Sequence, residues 1–154
     1  MKVEGGRMKL RKQESGAEII RNMSDSGDCD AALHPAAIAG LKHFNAGEFF
    51  EAHEQLETAW RAEPGSIRDL YRGILQAAVV YLHITRGNYN GAVSVYARSQ
   101  KWLTKWPERC RGVEVARLRA DLDSVFAEVR RLGPENILKF NPSLFKPVIW
   151  REDS

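Results

Sequence analysis

The sequence predicts an all-α protein, a compact bundle of about five helices. Apolar residues recur at spacings of three and four through successive stretches after residue 33, which is the period of an amphipathic helix. No stretch sustains the alternation of apolar and polar residues, rich in Val, Ile and Thr, that is typical of a strand. Short breaks such as PG at 64–65 and GP at 133–134 separate the helical stretches, and short connections favour antiparallel neighbours.

Local signals place the helix boundaries. The first helix begins near Pro35, a residue suited to a first helical turn, and reaches Phe44. The third begins at Ser66, which with Asp69 three positions later resembles a capping box, and ends at Gly87, which is suited to a left-handed C-cap. The predicted spans of the second, fourth and fifth helices are 48–62, 89–105 and 113–132.

Composition divides the chain into three parts. Residues 1–30 are rich in Gly, Ser, Asp, Lys and Glu and offer little apolar surface, so we expect a flexible N-terminal extension. Residues 31–132 form the predicted helical domain. Residues 133–154 carry two prolines between large apolar side chains, so we expect an extended tail that packs on the bundle.

Bulk composition is that of an ordinary water-soluble domain. Hydrophobic residues make up 44% and charged residues 28% of the chain, with a net charge of +3. The longest apolar run, 77–82, is far shorter than the roughly 20 residues of a membrane span, and no signal peptide is visible. We therefore expect a cytoplasmic protein that binds neither membrane nor nucleic acid, since no basic block is interleaved with aromatic residues. No cofactor is expected, and the sequence leaves a homo-oligomer open.

The two cysteines give no motif. Cys29 and Cys110 lie far apart, and neither belongs to a C-x-x-C spacing. Neither a disulfide framework nor a cysteine-built zinc site is expected, and both thiols are interpreted as incidental.

Residues 43–52 and 83–92 are similar to each other. Their alignment pairs His43 with His83 and Gly47 with Gly87. The shared pattern resembles the turn and second helix of a tetratricopeptide-like hairpin, in which glycine allows the tight reversal. The repeat period is 40 rather than about 34 residues, so we predict two helical hairpins with a capping helix rather than a true tetratricopeptide array. The other matched pairs are Phe49 with Tyr89, Ala52 with Ala92 and Leu56 with Tyr96.

The second predicted helix carries a histidine on its apolar stripe. His53 shares that stripe with Phe49, Leu56 and Trp60, at spacings of four, three and four. Glu57 lies one turn beyond His53, on the edge of the same face. Polar groups on a buried stripe are unusual and need partners.

Partners are expected on the third helix, where Arg72, Gln76 and His83 follow one stripe. A buried polar group left unsatisfied costs roughly 1–3 kcal/mol, so adjacent helices with such groups should pair them. The predicted network joins His53 and Glu57 of the second helix to Arg72, Gln76 and His83 of the third.

We find a resemblance to the domain-of-unknown-function 309 family in three runs: FNAGEFFEAHEQLETAWR, RGILQAAVVYLH and RGNYNGA. The first run follows the family signature F-N-x-G…H-E-x-L-E-x-x-W, and the resemblance covers roughly residues 33–132. It implies a small helical fold and brings no established activity. The matching positions are Phe44, Asn45, Gly47, Phe49, Phe50, His53, Glu54, Leu56, Glu57, Trp60, Gly73, Gln76, Ala78, His83, Gly87, Asn88, Gly91 and Ala92.

Three interpretations of the polar cluster remain open. The first is a buried network that only fixes the packing of the helices. The second, which we favour, is a module that binds a small anionic ligand or a protein or peptide partner in a pocket between helices, where Arg72 would pair with the anion. Tyr71 and Tyr81 would help to line that pocket. Its predicted binding residues are His53, Glu57, Trp60, Arg72, Gln76 and His83.

The third interpretation is a metal-assisted, hydrolase-type enzyme. Here His53, Glu57 and His83 would hold a divalent metal ion, and Glu54 would act as general base. The sequence HEQLE matches the zincin motif H-E-x-x-H only in part, because position 57 is Glu. Catalytic candidates are therefore His53, Glu54 and Glu57.

Overall fold

A computed structural model of the protein describes residues 28–152. Five α-helices lie within this range, which confirms the predicted all-α fold of about five helices. They are α1 (Pro35–Asn45), α2 (Phe49–Ala62), α3 (Arg68–Thr85), α4 (Tyr89–Leu103) and α5 (Val115–Asn136). Two short antiparallel strands, β1 (Arg109–Cys110) and β2 (Val113–Glu114), precede α5, and short 3-10 turns at Ile137–Lys139 and Pro142–Leu144 follow it.

Some helix boundaries differ from the prediction. α3 begins at Arg68, and no side-chain hydrogen bond caps its start. The Ser66 hydroxyl donates instead to the Asp28 carboxylate at 3.0 Å, and Asp69 accepts a hydrogen bond from Lys105 at 2.8 Å. The predicted capping box is therefore wrong. α5 extends past its predicted end, although the backbone at Gly133 is not helical.

The helices pack in chain order, α1 on α2, α2 on α3 and α3 on α4, and α5 contacts α4. α3 lies between α2 and α4, and its side chains Leu70, Tyr71, Ile74 and Tyr81 are wholly buried. α3 is therefore the central helix of the described bundle. Within residues 28–152, no helix combines the length and the apolar character that a membrane crossing requires.

The two turns that the sequence aligns adopt the same structure. Gly47 and Gly87 both have positive φ angles, 80° and 72°, which glycine adopts without strain. In each turn the residue after the glycine donates its backbone N–H to the carbonyl of the matched histidine, Glu48 to His43 at 2.9 Å and Asn88 to His83 at 2.8 Å. The repeat therefore encodes one hairpin turn used twice.

The C-terminal residues pack over these turns. The Asn45 amide exchanges two hydrogen bonds with the backbone of Val148, at 2.9 and 2.8 Å. The ring of Phe145 stacks on Tyr81 with centroids 4.5 Å apart. Further along, Trp150 forms a β-bridge with Val113. The tail thus closes the end of the bundle that carries both turns.

The interpretation of the cysteines was wrong. Cys29 and Cys110 form a disulfide across 81 residues, and Cys29 is buried. The short hairpin of β1 and β2 carries Cys110 to the segment before α1, where the backbone N–H of Arg111 donates to the Cys29 carbonyl at 2.7 Å. The Arg111 guanidinium also binds the Ala32 carbonyl at 2.9 Å. The spacing of the two cysteines in the sequence does not indicate that the fold brings them together. Most of the predicted N-terminal extension, residues 1–27, lies outside the described residues.

Candidate functional site

Arg72 is held between two tryptophans of the neighbouring helices. Its Cζ atom lies 5.2 Å from the ring centroid of Trp60 on α2 and 4.5 Å from that of Trp102 on α4. Both distances are within the range of a cation–π contact. Arg72 is half-buried, and no hydrogen bond or ion pair joins its guanidinium to any of residues 28–152. The stacking fixes the cation, while the N–H groups at its edge remain available.

Three polar atoms near this sandwich are buried without a hydrogen-bond partner among the described residues. They are Nδ1 of His53, Nε1 of Trp60 and Oε1 of Gln76. His53 and Trp60 share a stripe of α2, and Gln76 lies one turn from Arg72 on α3. We call the surface formed by His53, Trp60, Arg72, Gln76 and Trp102 the arginine face.

The predicted hydrogen-bonded network between α2 and α3 is not formed. Its expected members on the arginine face, His53 and Gln76, keep unpaired atoms, and Arg72 contacts aromatic rings rather than Glu57. The Glu57 carboxylate instead accepts a hydrogen bond from Arg61 at 2.7 Å and lies 3.9 Å from Nε2 of His53. The physical reason is that Glu57 has its partners on its own helix, one turn away in either direction.

His83 serves the turn rather than the cluster. A ring nitrogen of His83 lies 3.2 Å from the side-chain nitrogen of Asn88. The side-chain oxygen of Asn88 caps α4 by accepting a hydrogen bond from the Gly91 backbone N–H. The matched His43 is bonded to Glu48 at 2.7 Å in the first turn. Burial, with smaller contributions from Arg86 and Arg98, lowers the pKa of His83 and favours its neutral ring. Both histidines therefore stabilise the repeated turn.

The candidate metal ligands His53, Glu57 and His83 do not converge. Among residues 28–152, no group of three His, Cys, Asp or Glu side chains is placed to hold a metal ion. Glu54, the candidate general base, is exposed on α2. These residues therefore do not form the metal site that the third interpretation, a metal-assisted enzyme, requires.

Tyr71 and Tyr81 were expected to line the binding pocket, and this expectation was wrong. Both are fully buried on the core side of α3. The Tyr71 hydroxyl accepts from the His34 backbone N–H at 2.9 Å, and the Tyr81 ring packs against Phe145. Burial raises the pKa of both phenols, so both stay neutral.

Sequence reasoning missed Trp102. It also missed the cations beside the two indoles: Arg68 lies 5.3 Å from the Trp60 centroid, and Lys101 lies 4.8 Å from that of Trp102. One available signal was the i, i+4 spacing of Arg68 and Arg72, which places both on one face of α3. The side of α4 that faces Arg72 depends on helix rotation, which spacing does not give.

Comparisons with known proteins agree with the resemblance seen in the sequence. Residues 37–95 match the family model described as "Domain of unknown function (DUF309)", a segment that includes α2, α3 and both repeated turns. An "Uncharacterized protein" of Aquifex aeolicus is 29% identical over 99 residues, which are 64% of this chain. The chain spans 29% of that relative's length. The resemblance is thereby confirmed for residues 37–95, which match the DUF309 family model.

Proposed function

We propose that the protein is a binding module whose arginine face takes an anionic group, a carboxylate or phosphate, from a small ligand or a peptide end. Arg72 is the residue that binds the anion. A guanidinium presents its donors in a fixed plane that matches both groups with two parallel hydrogen bonds.

The observation that carries the proposal is the set of contacts that the Arg72 guanidinium makes. A half-buried cation normally has a carboxylate or carbonyl partner, because desolvating a charge is costly. Arg72 has two indole rings and no acceptor among the described residues. The stacking also limits the rotamers of a long side chain, so a ligand has less entropy to overcome on binding.

The unpaired atoms on the same face support the proposal. The Trp60 Nε1–H is a donor, which suits a second oxygen of the same anion, and the Gln76 oxygen accepts a donor from the rest of the ligand. Each such atom costs roughly 1–3 kcal/mol while unsatisfied, so a ligand that supplies the partner recovers part of that cost. Glu57 and His83 are left with structural roles in this proposal.

Two finer points belong to the same proposal. A tetratricopeptide-like character is supported by the repeated turn, while the 40-residue period argues against a true array. A cytoplasmic location stays a prediction. The Cys29–Cys110 disulfide weighs against it, because such bonds are rare in reducing compartments.

The experiment is a titration of the full-length protein with acetate and with inorganic phosphate, followed by NMR at the indole N–H signals of the four tryptophans. We expect the Trp60 and Trp102 signals to shift with added anion. Arg72→Gln should weaken that binding by about ten- to a hundredfold, since hydrogen bonds to a charged group contribute roughly 1.5–3 kcal/mol.

The control is Arg130→Gln on α5, which removes an exposed cation that is also stacked on a ring, 4.9 Å from the Phe126 centroid. It should leave the titration unchanged. If neither anion shifts the two indole signals, or if both variants weaken binding equally, the arginine face is not the binding site.

A further inference from the structure

A row of alternating cations and indole rings crosses three helices. In order it contains Arg68, Trp60, Arg72, Trp102 and Lys101, and we call it the cation–indole row. Each neighbouring pair is in contact, with cation-to-centroid distances of 5.3, 5.2, 4.5 and 4.8 Å. The row therefore extends the arginine face on both sides of Arg72.

The three cations of the row are not neutralised by the part of the protein that the structure describes. Within residues 28–152, the side chains of Arg68, Arg72 and Lys101 make no ion pair and no hydrogen bond to a protein acceptor. Neighbouring basic residues do have carboxylate partners, such as Lys105 with Asp69 at 2.8 Å and Arg61 with Glu57 at 2.7 Å. Three adjacent positive charges thus remain for a partner that carries several negative charges.

The indole rings of the row are already in contact with cations. Single-stranded nucleic acids bind by stacking bases on bare aromatic faces. Here Arg68 and Arg72 lie over Trp60, and Arg72 and Lys101 lie over Trp102. The groups left for a partner are the N–H donors of the cations, and these suit carboxylates better than bases.

The same side of α3 continues beyond Arg72 with apolar side chains. Leu75 and Val79 lie three and seven positions after Arg72, and both are half-buried against the core. Cations followed by apolar side chains along one helix suit a partner that carries both carboxylates and apolar side chains. An amphipathic helix that lies in a groove has this character.

We infer that the occupant of the arginine face is an acidic amphipathic peptide segment of a partner protein. Its carboxylates pair with Arg68, Arg72 and Lys101, and its apolar side chains contact Leu75 and Val79. This inference rests on the proposed function, because Arg72 is the central anion-binding residue in both.

The experiment measures binding of two synthetic peptides to the full-length protein by fluorescence anisotropy. The peptides share Leu at helical spacing and differ in three Glu positions, which are Gln in the second peptide. We expect the Glu peptide to bind at least tenfold more tightly than the Gln peptide, and its affinity to fall as salt is raised. Lys101→Gln and Arg68→Gln should each weaken the Glu peptide severalfold without changing acetate binding, while Arg130→Gln changes neither.

The possible outcomes separate the two proposals. If acetate shifts the Trp60 and Trp102 signals but the Glu peptide binds no better than the Gln peptide, the inference is overturned and the proposed function stands. Tighter binding of a single-stranded oligonucleotide than of the Glu peptide also overturns the inference. If neither the peptides nor acetate bind, both proposals fail.

Discussion

Two regions of the molecule use polar side chains in opposite ways. One is the end of the bundle that carries the two turns, and the other is the arginine face. At the turns, His43, Asn45 and Asn88 each have a hydrogen-bond partner within the protein. On the arginine face, Arg72 has no acceptor and the Gln76 oxygen no donor among the described residues. Apart from Trp102, the named residues of both regions lie within the segment that matches the family model, so that match alone does not separate the two regions.

The difference shows how to sort the polar residues of these two regions. A polar side chain with internal partners is explained by the fold, because leaving it unpaired would cost stability. A polar group without an internal partner gains no hydrogen bond in the isolated chain. Tyr81 and Trp150 also carry unpaired buried atoms, but their rings pack among apolar residues, which accounts for their presence. Trp60 packs against the core in the same way. The Gln76 oxygen belongs to no such ring, and a ligand supplies the donor that it lacks.

The largest loss of stability is expected when a buried aromatic ring near the turns is removed. Phe49 is buried and packs edge-on against Phe44, Tyr81 and Phe145. Phe49→Ala should lower the free energy of unfolding by about 3–5 kcal/mol, the cost of removing a buried aromatic side chain. Urea denaturation followed by circular dichroism measures the change.

The adjacent ring provides the matched control for that measurement. Phe50 is 42% exposed, and we expect Phe50→Ala to cost less than about 1 kcal/mol. Equal losses for the two variants would contradict the packing of α2 and the assignment of its buried face.

A smaller effect is expected at the turn glycines, and it tests whether the two turns are physically equivalent. Gly47→Ala and Gly87→Ala each place a side chain at a positive φ, which costs roughly 1–2 kcal/mol. A Cβ at Gly47 meets nothing within 4 Å, whereas one at Gly87 lies 3.0 Å from Leu138. Because Leu138 is 76% exposed and can rotate away, we expect losses within about 0.5 kcal/mol of each other. A neutral result at either position, measured by thermal unfolding, would contradict the repeated turn.

The sequence predicts the turns well because their signals are local. Gly87 marks the C-cap of α3, and the match between His43 and His83 identifies a turn whose bonds all lie within six residues. The all-α fold follows from helical periodicity in the same way. Such features depend on φ angles and near neighbours, which residue type constrains strongly.

The sequence predicts the arginine face only in part because its geometry is not local. Spacing placed His53, Trp60, Arg72 and Gln76 on inward stripes, but it could not show that Trp102 would cover Arg72 from α4. The Cys29–Cys110 disulfide was missed for the same reason, since it joins residues 81 positions apart. The rotation of α4 decides the contact between Trp102 and Arg72. The path of the chain back towards the segment before α1 decides the disulfide.

The smallest change in stability is expected for a substitution of Gln76. This substitution tests the comparison between the turns and the arginine face most directly. Gln76→Leu replaces an unpaired buried oxygen with an apolar group of similar length, so stability should stay unchanged or rise by up to about 1 kcal/mol. Asn45→Leu is the matched control, because that amide makes two hydrogen bonds to Val148, and its removal should cost about 1–2 kcal/mol. Urea midpoints of the two variants give both values. A loss above about 1 kcal/mol for Gln76→Leu would mean that Gln76 has a partner within the fold, and the cluster would then be a structural network.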